Sequence, residues 1–363
     1  MSALYIGLMS GTSLDGVDAA LVDFAGDRPS VRGTRFLPYP DSIRAEALAL
    51  NSPGDDEIHR SALLSRELSR LYAEAVELLL GECGVMPRAV AAIGCHGQTV
   101  RHRADLGYTV QLVDPALLVE RTGIPVVANF RARDLAAEGQ GAPLVPAFHA
   151  GAFRHADRDR VILNVGGIAN ITALPASGTI IGFDTGPGNV LLDMWCARQR
   201  GCAFDADGEW AASGRVVEAL LDDMLADPYF ALPPPKSTGR DLYNEAWLMR
   251  RDLARYAAED VQATLLELTA RSVADAIERY CPGADELYVC GGGASNRQLL
   301  RRLQALLGGV SVSTTADLGL HPDWVEAVAF AWLARRTLLQ QPGNLPEVTG
   351  AQGPRVLGAV YPT

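Results

Sequence analysis

The sequence lacks several features that mark common classes of protein. No apolar run approaches the roughly 20 residues that a membrane-spanning helix needs. The longest, such as Ala327–Ala334, are much shorter. No basic and apolar leader is recognisable, because Tyr5–Met9 already reads as a core strand, and we expect a cytoplasmic protein. Lysine occurs once, at Lys236, and the formal net charge of −11 argues against a nucleic-acid partner.

Cysteine and histidine are few and scattered. None of the six cysteines stands in a CxxC pair, which predicts reduced, mostly buried thiols instead of disulfides. The six histidines form no HxH or HxxxH pair, so a structural zinc site is not expected. The sequence also lacks the pattern G-x-x-x-x-G-K-[ST], and any phosphate site is therefore not a P-loop.

Two hairpins of similar composition are the most informative feature that the sequence does contain. Leu4–Phe24 reads LYIGLMSGTSLDGVDAALVDF and Val161–Leu174 reads VILNVGGIANITAL, each with two apolar strands around a tip of small residues. Small residues let backbone N–H groups approach phosphate oxygens closely. The pair therefore predicts a duplicated architecture of two lobes that hold a polyphosphate, with a nucleotide as the first candidate.

Each half of the chain follows one order of predicted elements, β-β-β-α-β-α-β, which indicates mixed α/β domains. A chain of 363 residues is long enough for two of them. Arg131–Pro146 is rich in Gly, Ala and Pro and is interpreted as a hinge region. We predict an N-terminal lobe of residues 1–135 plus about 335–363 and a C-terminal lobe of residues 136–334.

The segment FDTGPGN, residues 183–189, contains the strongest catalytic candidate, Asp184. This carboxylate follows an apolar strand and precedes a predicted helix, at the mouth of a sheet where it can face a ligand. Gly186 and Gly188 are expected to leave amides at the helix start open to anions. The alternative is that Asp184 only caps the helix.

Three glycine-containing turns are candidate phosphate or nucleotide sites. Hydroxyls and amides of the first tip could bind phosphate, although favoured turn residues alone would also explain its composition. The turn CGGGASN, residues 290–296, could lie against a base or ribose, or be a plain strand–helix connection. The candidate residues are Gly11, Thr12, Ser13, Leu14, Asp15, Gly16, Val17, Asp18, Gly166, Gly167, Asn170, Gly291, Gly292, Gly293 and Asn296.

Other polar residues suggest a polyhydroxylated ligand. His96, Gln98 and Thr99 follow a predicted strand, and each can donate and accept hydrogen bonds. A satisfied core histidine is the alternative for His96. Lys236 lies after a proline run, and this position indicates either a mobile flap with a cationic tip or a solvated loop. Glu326 is either a first-turn charge favoured by the helix dipole or a ligand-facing carboxylate.

These motifs together resemble those of the sugar kinase, Hsp70 and actin superfamily. Within it the chain resembles the 1,6-anhydro-N-acetylmuramic acid kinases, in order from residue 6 to residue 361. The segments that carry this resemblance are GLMSGTSLDGVDAAL, GCHGQT, NVGGIAN, GFDTGPGN, PPPKSTGRD and VTGAQGPRVLGAVYP.

The resemblance implies two duplicated actin/hexokinase-like (ribonuclease H-like) domains with mixed five-stranded sheets and a cleft between them. It implies a bacterial enzyme of peptidoglycan recycling that uses ATP and Mg²⁺, and a homodimer. Gly11–Asp18 would bind ATP, Asp184 would be catalytic with Glu326 as a second carboxylate, and the sugar would contact His96, Gln98, Thr99 and Arg131. Mg²⁺ would be carried on ATP, with Asp15 as the one expected protein contact.

Two other functions are compatible with the same motifs. An ordinary sugar or amino-sugar kinase would act on a free hydroxyl. A nucleotide-dependent scaffold, as in actin or the chaperones, would not be an enzyme of this kind, and the chain shows no peptide-binding extension or polymer-forming insert that would favour it.

Overall fold

The computed structural model describes residues 3–26, 28–240 and 242–363. The chain divides into two compact units, one formed by the chain up to Ala152 together with Trp324–Thr363, the other by Phe153–Asp323. The predicted lobe boundaries differ from these, since residues 136–152 and 324–334 belong to the first unit. At the second boundary the reason is that the helix beginning at Val325 packs on the sheet of the first unit.

The strands are β1 (Leu4–Ser10), β2 (Gly16–Asp23), β3 (Ser30–Pro38), β4 (Val90–Arg103), β5 (Tyr108–Leu112), β6 (Val126–Ala128), β7 (Arg160–Val165), β8 (Ile168–Leu174), β9 (Ile181–Pro187), β10 (Glu286–Cys290), β11 (Ser311–Thr314) and β12 (Ala359–Tyr361). The helices are α1 (Asp41–Ala49), α2 (Glu57–Cys83), α3 (Pro115–Thr122), α4 (Ala132–Leu135), α5 (Val145–Phe153), α6 (Val190–Arg200), α7 (Glu209–Ser213), α8 (Glu218–Leu225), α9 (Pro228–Ala231), α10 (Glu245–Met249), α11 (Ala258–Tyr280), α12 (Arg297–Leu306), α13 (Val325–Leu338) and α14 (Pro346–Thr349).

Each unit is built on one mixed sheet. The first sheet has the order β12-β6-β4-β1-β2-β3, with β5 paired to β4. In it β1, β2 and β3 form an antiparallel meander, and β4 and β6 run parallel to β1. The second sheet has the order β11-β10-β7-β8-β9, with β7, β8 and β9 antiparallel and β10 and β11 parallel to β7.

The two sheets therefore share five core strands with the same order and directions, which confirms the predicted duplication and mixed α/β class. In the described residues the second sheet consists of these five strands, whereas the first has seven, because β5 and β12 are added. Strand β4 is also longer than predicted, since its second half pairs with β5. His96, Gln98 and Thr99 thus lie inside a strand and not after one.

Helix α13 lies unusually close to the first sheet. A Cβ added at Gly7 of β1 would lie 1.7 Å from the carbonyl oxygen of Ala327, and one at Gly94 of β4 would lie 2.0 Å from that of Phe330. No side chain fits at either place, so glycine is required for the two strands to approach the helix backbone. This packing fixes the position of Glu326 in the first turn of α13.

Each unit has its own apolar core. In the first, side chains of β1, β2 and β4 pack with the buried face of α2. In the second, those of β7, β8 and β9 pack with α11, as Leu163, Ile171 and Phe183 illustrate. All six cysteines are free thiols, but only half are buried, fewer than predicted: Cys95, Cys196 and Cys290 are buried, Cys83 and Cys281 are partly exposed, and Cys202 is exposed. In the described part of the chain, no helix has the length and apolar character that a membrane span requires.

Candidate active site

Asp184 lies on β9 and is 9% exposed. Its Oδ2 accepts a hydrogen bond of 2.9 Å from the Thr238 amide, and its backbone oxygen accepts one of 2.7 Å from the Tyr229 hydroxyl. The capping alternative is wrong, because the N-cap of α6 is Asn189. A buried carboxylate that is held by a backbone amide is suited to orient and deprotonate a small ligand.

Asp184 belongs to a row of polar side chains across the sheet. Its cross-strand partner is Asn170 of β8, whose partner on β7 is Asn164. Directly opposite residues of antiparallel strands project from the same face. Asn170 was predicted as a site residue, but Asn164, which is 6% exposed, was missed. Its signal was the two-residue alternation with Leu163 and Val165, both of which face the core.

The second hairpin tip binds the start of α6. The amides of Gly188, Asn189 and Val190 donate to the carbonyl oxygens of Gly166 and Gly167 at 2.8 to 3.1 Å. The expectation that these helix-start amides are open to anions is therefore wrong. The tip and the FDTGPGN segment instead form one rigid connection beside Asp184.

The three consecutive glycines have different surroundings. A Cβ at Gly291 would lie 2.4 Å from Asn164 Oδ1, and one at Gly293 would lie 2.4 Å from the Val165 side chain, so both are required for packing against β7. Gly292 is exposed, and a Cβ there would meet only Asn189 Nδ2, at 3.9 Å. Of the three, Gly292 is the one with open space beside its Cα. Asn296 caps α12, since its Oδ1 accepts from the Leu299 amide.

The first hairpin tip combines exposed polar residues with a buried anchor. Thr12 and Asp15 are exposed, Gly11, Ser13 and Asp18 are partly exposed, and Gly16 is buried. The Ser13 hydroxyl donates to Asp15 Oδ1 at 2.5 Å. Leu14 and Val17 are only 3% and 0% exposed and belong to the core. A contact of these two residues with a nucleotide would therefore be made by their backbone groups and not by their side chains.

His96 is a buried, fully partnered histidine of the first unit. Its Nδ1 lies 3.2 Å from the Ser10 carbonyl oxygen, and its Nε2 accepts from Arg131 Nη2 at 2.9 Å. The proton therefore resides on Nδ1. Burial, and secondarily the Arg131 guanidinium, lowers the pKa of His96 to about 3, so the ring is neutral. The core-histidine alternative fits His96, while Arg131 remains partly exposed.

Gln98 is fully buried, in contrast to its expected role as a sugar ligand. Its Nε2 donates to the Gly11 carbonyl oxygen at 3.1 Å, and its Oε1 accepts from the Tyr39 hydroxyl at 3.3 Å. The Tyr72 hydroxyl then lies 3.1 Å from that of Tyr39. The Gln98 side chain thus holds the backbone of the first hairpin in place through Gly11. Thr99 is partly exposed and accepts a hydrogen bond from Gln111.

Lys236 is half-buried and is not a solvated tip. Its Nζ donates to the Tyr229 carbonyl oxygen at 3.2 Å and lies 4.6 Å from the centre of the Tyr229 ring. Its backbone oxygen accepts from the Asp184 amide at 3.3 Å. Burial and the nearby Arg279 lower the pKa of Lys236, against the opposing effect of Asp184.

Among residues 3–26, 28–240 and 242–363, no group of three or more His, Cys, Asp or Glu side chains could hold a metal ion. The donors of the first tip are hard oxygens, with the exposed Asp15 carboxylate among them. Mg²⁺ commonly keeps several waters and binds one or two carboxylates together with substrate phosphates. Asp15 fits such a contact.

The chain matches the family model described as anhydro-N-acetylmuramic acid kinase over residues 3–363. It is 54% identical over 360 residues to the anhydro-N-acetylmuramic acid kinase of Nitrosomonas europaea, covering 99% of both chains. It is 56% identical over 367 residues to that of Cupriavidus pinatubonensis, covering 99% of this chain and 98% of the relative. Component A of (R)-2-hydroxyglutaryl-CoA dehydratase from Acidaminococcus fermentans, a solved structure, is 11% identical, with a TM-score of 0.49 over 91% of this chain and 96% of its own.

The matches to the two relatives extend over nearly the full length of each chain. They include both hairpin tips, the Asp184 strand and the C-terminal segment. By family model and by relatives alike, the chain belongs to the anhydro-N-acetylmuramic acid kinase family.

Proposed function

We propose that the protein is an ATP-dependent kinase that opens the ring of 1,6-anhydro-N-acetylmuramic acid with water and phosphorylates O6. The products are N-acetylmuramic acid 6-phosphate and ADP, and the reaction serves peptidoglycan recycling in the cytoplasm. Family membership supports the substrate. One observation carries the chemistry: the Asp184 carboxylate is held in place on β9 by the Thr238 amide.

The substrate defines what this carboxylate does. O6 of the anhydro sugar is bonded to C1, so no free 6-hydroxyl exists. Water attacks C1, the C1–O6 bond breaks, and its electron pair goes to O6. O6 then takes the γ-phosphoryl group as the bond from phosphorus to the ADP oxygen breaks. Asp184 orients the water and accepts its proton, as carboxylates do in glycoside hydrolysis.

Phosphoryl transfer depends mainly on positioning and neutralisation of charge. We assign phosphate binding to the exposed part of the first tip, Gly11–Ser13, and nucleotide binding to Gly292. Asp15 would hold the Mg²⁺ that arrives on ATP, and the bound ion would neutralise phosphate charge. Thr99 and Arg131 are the partly exposed members of the predicted sugar set. Glu326 is proposed as a second carboxylate on the water.

Replacing Asp184 by Asn tests the assignment. The variant retains the hydrogen-bonding shape but cannot accept a proton, so turnover should fall by at least about a hundredfold while ATP binding persists. The measurement is ADP release with the anhydro sugar, beside ATP affinity by calorimetry. The matched control is Asp223→Asn, an exposed carboxylate paired with Arg251, which should leave turnover unchanged. Near-normal turnover of Asp184→Asn contradicts the role.

Labelled water distinguishes this reaction from that of an ordinary sugar kinase. In H₂¹⁸O the label should appear at C1 of the product and not in the phosphate. A kinase acting on a free hydroxyl would instead turn over N-acetylmuramic acid and leave C1 unlabelled. A nucleotide-dependent scaffold would gain thermal stability from ATP and none from either sugar.

We also propose a homodimer, which the family resemblance supports. Sedimentation equilibrium measures this directly, since the chain mass is 38.7 kDa. A single species of that mass at all concentrations would contradict the proposal.

A further inference from the structure

The edge of the second sheet is covered at one point, beside Asp184. Strand β9 is the last in the order of that sheet, so among the described residues no strand pairs with its outer backbone groups. The segment Lys236–Thr238 takes that place. The Asp184 amide donates to the Lys236 carbonyl oxygen at 3.3 Å, and the Thr238 amide donates to Asp184 Oδ2 at 2.9 Å. The segment therefore contacts both the backbone and the carboxylate of one residue.

Tyr229 anchors the same segment from the other side. Its hydroxyl donates to the Asp184 carbonyl oxygen at 2.7 Å, and its own carbonyl oxygen accepts from Lys236 Nζ at 3.2 Å. These contacts close a ring of hydrogen bonds through Asp184, Tyr229 and Lys236. Each member is bonded to the other two, and Thr238, two residues after Lys236, holds the Asp184 carboxylate.

The Lys236 cation stabilises this ring through two aromatic faces. Its Nζ lies 4.6 Å from the centre of the Tyr229 ring and 5.7 Å from that of Phe183. The residue is the single lysine of the chain, and the other 31 of its 32 Lys and Arg residues are arginines. An ammonium is a compact point charge, whereas a guanidinium is a wide planar fork. The small space between two rings and a carbonyl oxygen suits the former.

We propose that Lys236 and Tyr229 are positioning residues for Asp184, which they hold at the edge of β9 through the segment Lys236–Thr238. The proposal rests on the proposed function of Asp184 as the group that activates water. The charged and titratable groups that face Lys236 are Asp184, Tyr229 and Arg279. Asp184 attracts the ammonium and Arg279 repels it.

The first test requires no turnover. Reductive ¹³C-methylation of the protein labels the α-amine and Lys236, so that one lysine resonance reports the titration of this single side chain. Asp184→Asn removes the attractive charge and should lower the pKa of Lys236 measurably. Asp223→Asn is the control and should leave it unchanged. An unaltered lysine titration in Asp184→Asn overturns the proposal, whatever the substrate of the enzyme is.

The second test separates positioning from folding. Lys236→Met and Tyr229→Phe should each lower kcat at least tenfold, with KM for ATP changed less than threefold, and Lys236→Arg should recover part of the loss. Arg200→Met is the matched control, because it removes an exposed cation from the Trp210 ring and should leave kcat unchanged. Thermal unfolding confirms that each variant is folded at the assay temperature.

Two kinetic results overturn the proposal: a kcat of Lys236→Met within twofold of the parent, or a loss of kcat that follows only the unfolded fraction. If the parent enzyme itself does not turn over the anhydro sugar, the proposed function fails. The coupling between Asp184 and Lys236 in the resting protein is then still decided by the lysine titration.

Discussion

His96 is a single residue whose charge is fixed by its surroundings. The Ser10 carbonyl oxygen and the Arg131 guanidinium occupy its two ring nitrogens. A proton on Nε2 would place two donors against each other in a buried site, which is why the pKa is lowered to about 3. His149 of α5 is likewise buried, and burial lowers its pKa to about 3.

These two histidines predict how stability depends on pH. In the unfolded chain a histidine binds a proton below about pH 6.5. In the folded protein these two do so only near pH 3. The free energy of unfolding should therefore fall as the pH drops from 6.5 towards 3, by up to about 1.4 kcal/mol per pH unit for each histidine. His96→Gln should have a shallower slope than the parent in urea unfolding between pH 6.5 and 4.5. The exposed His321→Gln is the control, and parallel slopes for His96→Gln and the parent would refute the prediction.

At the scale of single residues, the sequence could indicate which residues to consider, but not always where their side chains point in the fold. Asp184 could be singled out, because a carboxylate that follows apolar strand residues and precedes glycines is a recognisable pattern, although the strand itself extends to Pro187. The burial of Gln98 could not be predicted, because it results from a strand pairing and from Tyr39 and Tyr72, both distant in the sequence. Tyr229 was missed for the same reason: it is 45 residues from Asp184 in the sequence, and its hydroxyl reaches the Asp184 carbonyl oxygen only in the folded chain.

At the scale of elements, the contact between α13 and the first sheet depends on two glycines. The approach at Gly94 leaves no room for a methyl group, since the nearest atom is a helix carbonyl oxygen at 2.0 Å from the added Cβ. Backbone atoms of a packed helix cannot move aside as a flexible side chain can. Any larger residue must therefore displace α13 or the strand.

Gly94→Ala should destabilise the protein by about 3 kcal/mol or more, because overpacking here forces a backbone shift. The control substitution is expected to change the free energy of unfolding in the opposite direction. Gly81 lies on the exposed face of α2 with no atom within 4 Å of its added Cβ, so Gly81→Ala should stabilise by about 0.5 to 1 kcal/mol. Chemical unfolding measures both, and equal effects would contradict the packing argument.

The order of the elements could be predicted, because the period of apolar residues distinguishes strands from the long α2. The hairpin β4–β5 and strand β12 could be predicted only in part. The alternation of polar residues over His96–Arg103 does not indicate which strand pairs with this half of β4. Strand β12 has three residues and forms because β6 lies beside it. The observed domain boundary near residue 324 differs from the predicted one for a related reason. Helix α13 packs on the first sheet and so belongs to the first unit, although the residues that precede it in the sequence belong to the second.

At the scale of the whole molecule, the C-terminal segment is held by one buried carboxylate. Asp134 is 0% exposed, and its Oδ1 accepts from the Asn344 side-chain Nδ2 at 2.7 Å and from the Thr349 hydroxyl at 2.8 Å. Its other oxygen accepts from the Gly141 amide. The segment VTGAQGPR, residues 348–355, is thus bound by hydrogen bonds to residues 134–141 of the first unit.

Thr349→Val should lower the free energy of unfolding by about 2 kcal/mol, because it removes a donor from a buried carboxylate without changing the shape of the side chain. Thr349→Ser keeps the hydroxyl and should lose clearly less. Equilibrium unfolding of the two variants provides the comparison. A larger loss for the serine variant would show that packing of the methyl group dominates.

The placement of α13 also sets a constraint on biosynthesis. A ribosome delivers β1 and β4 early, yet the backbone at Gly7 and Gly94 packs against a helix that begins as late as Val325. The nascent first sheet therefore stays incomplete while the whole of Phe153–Asp323 is translated and free to fold on its own core. During that interval the face of the sheet that α13 covers in the folded protein is exposed.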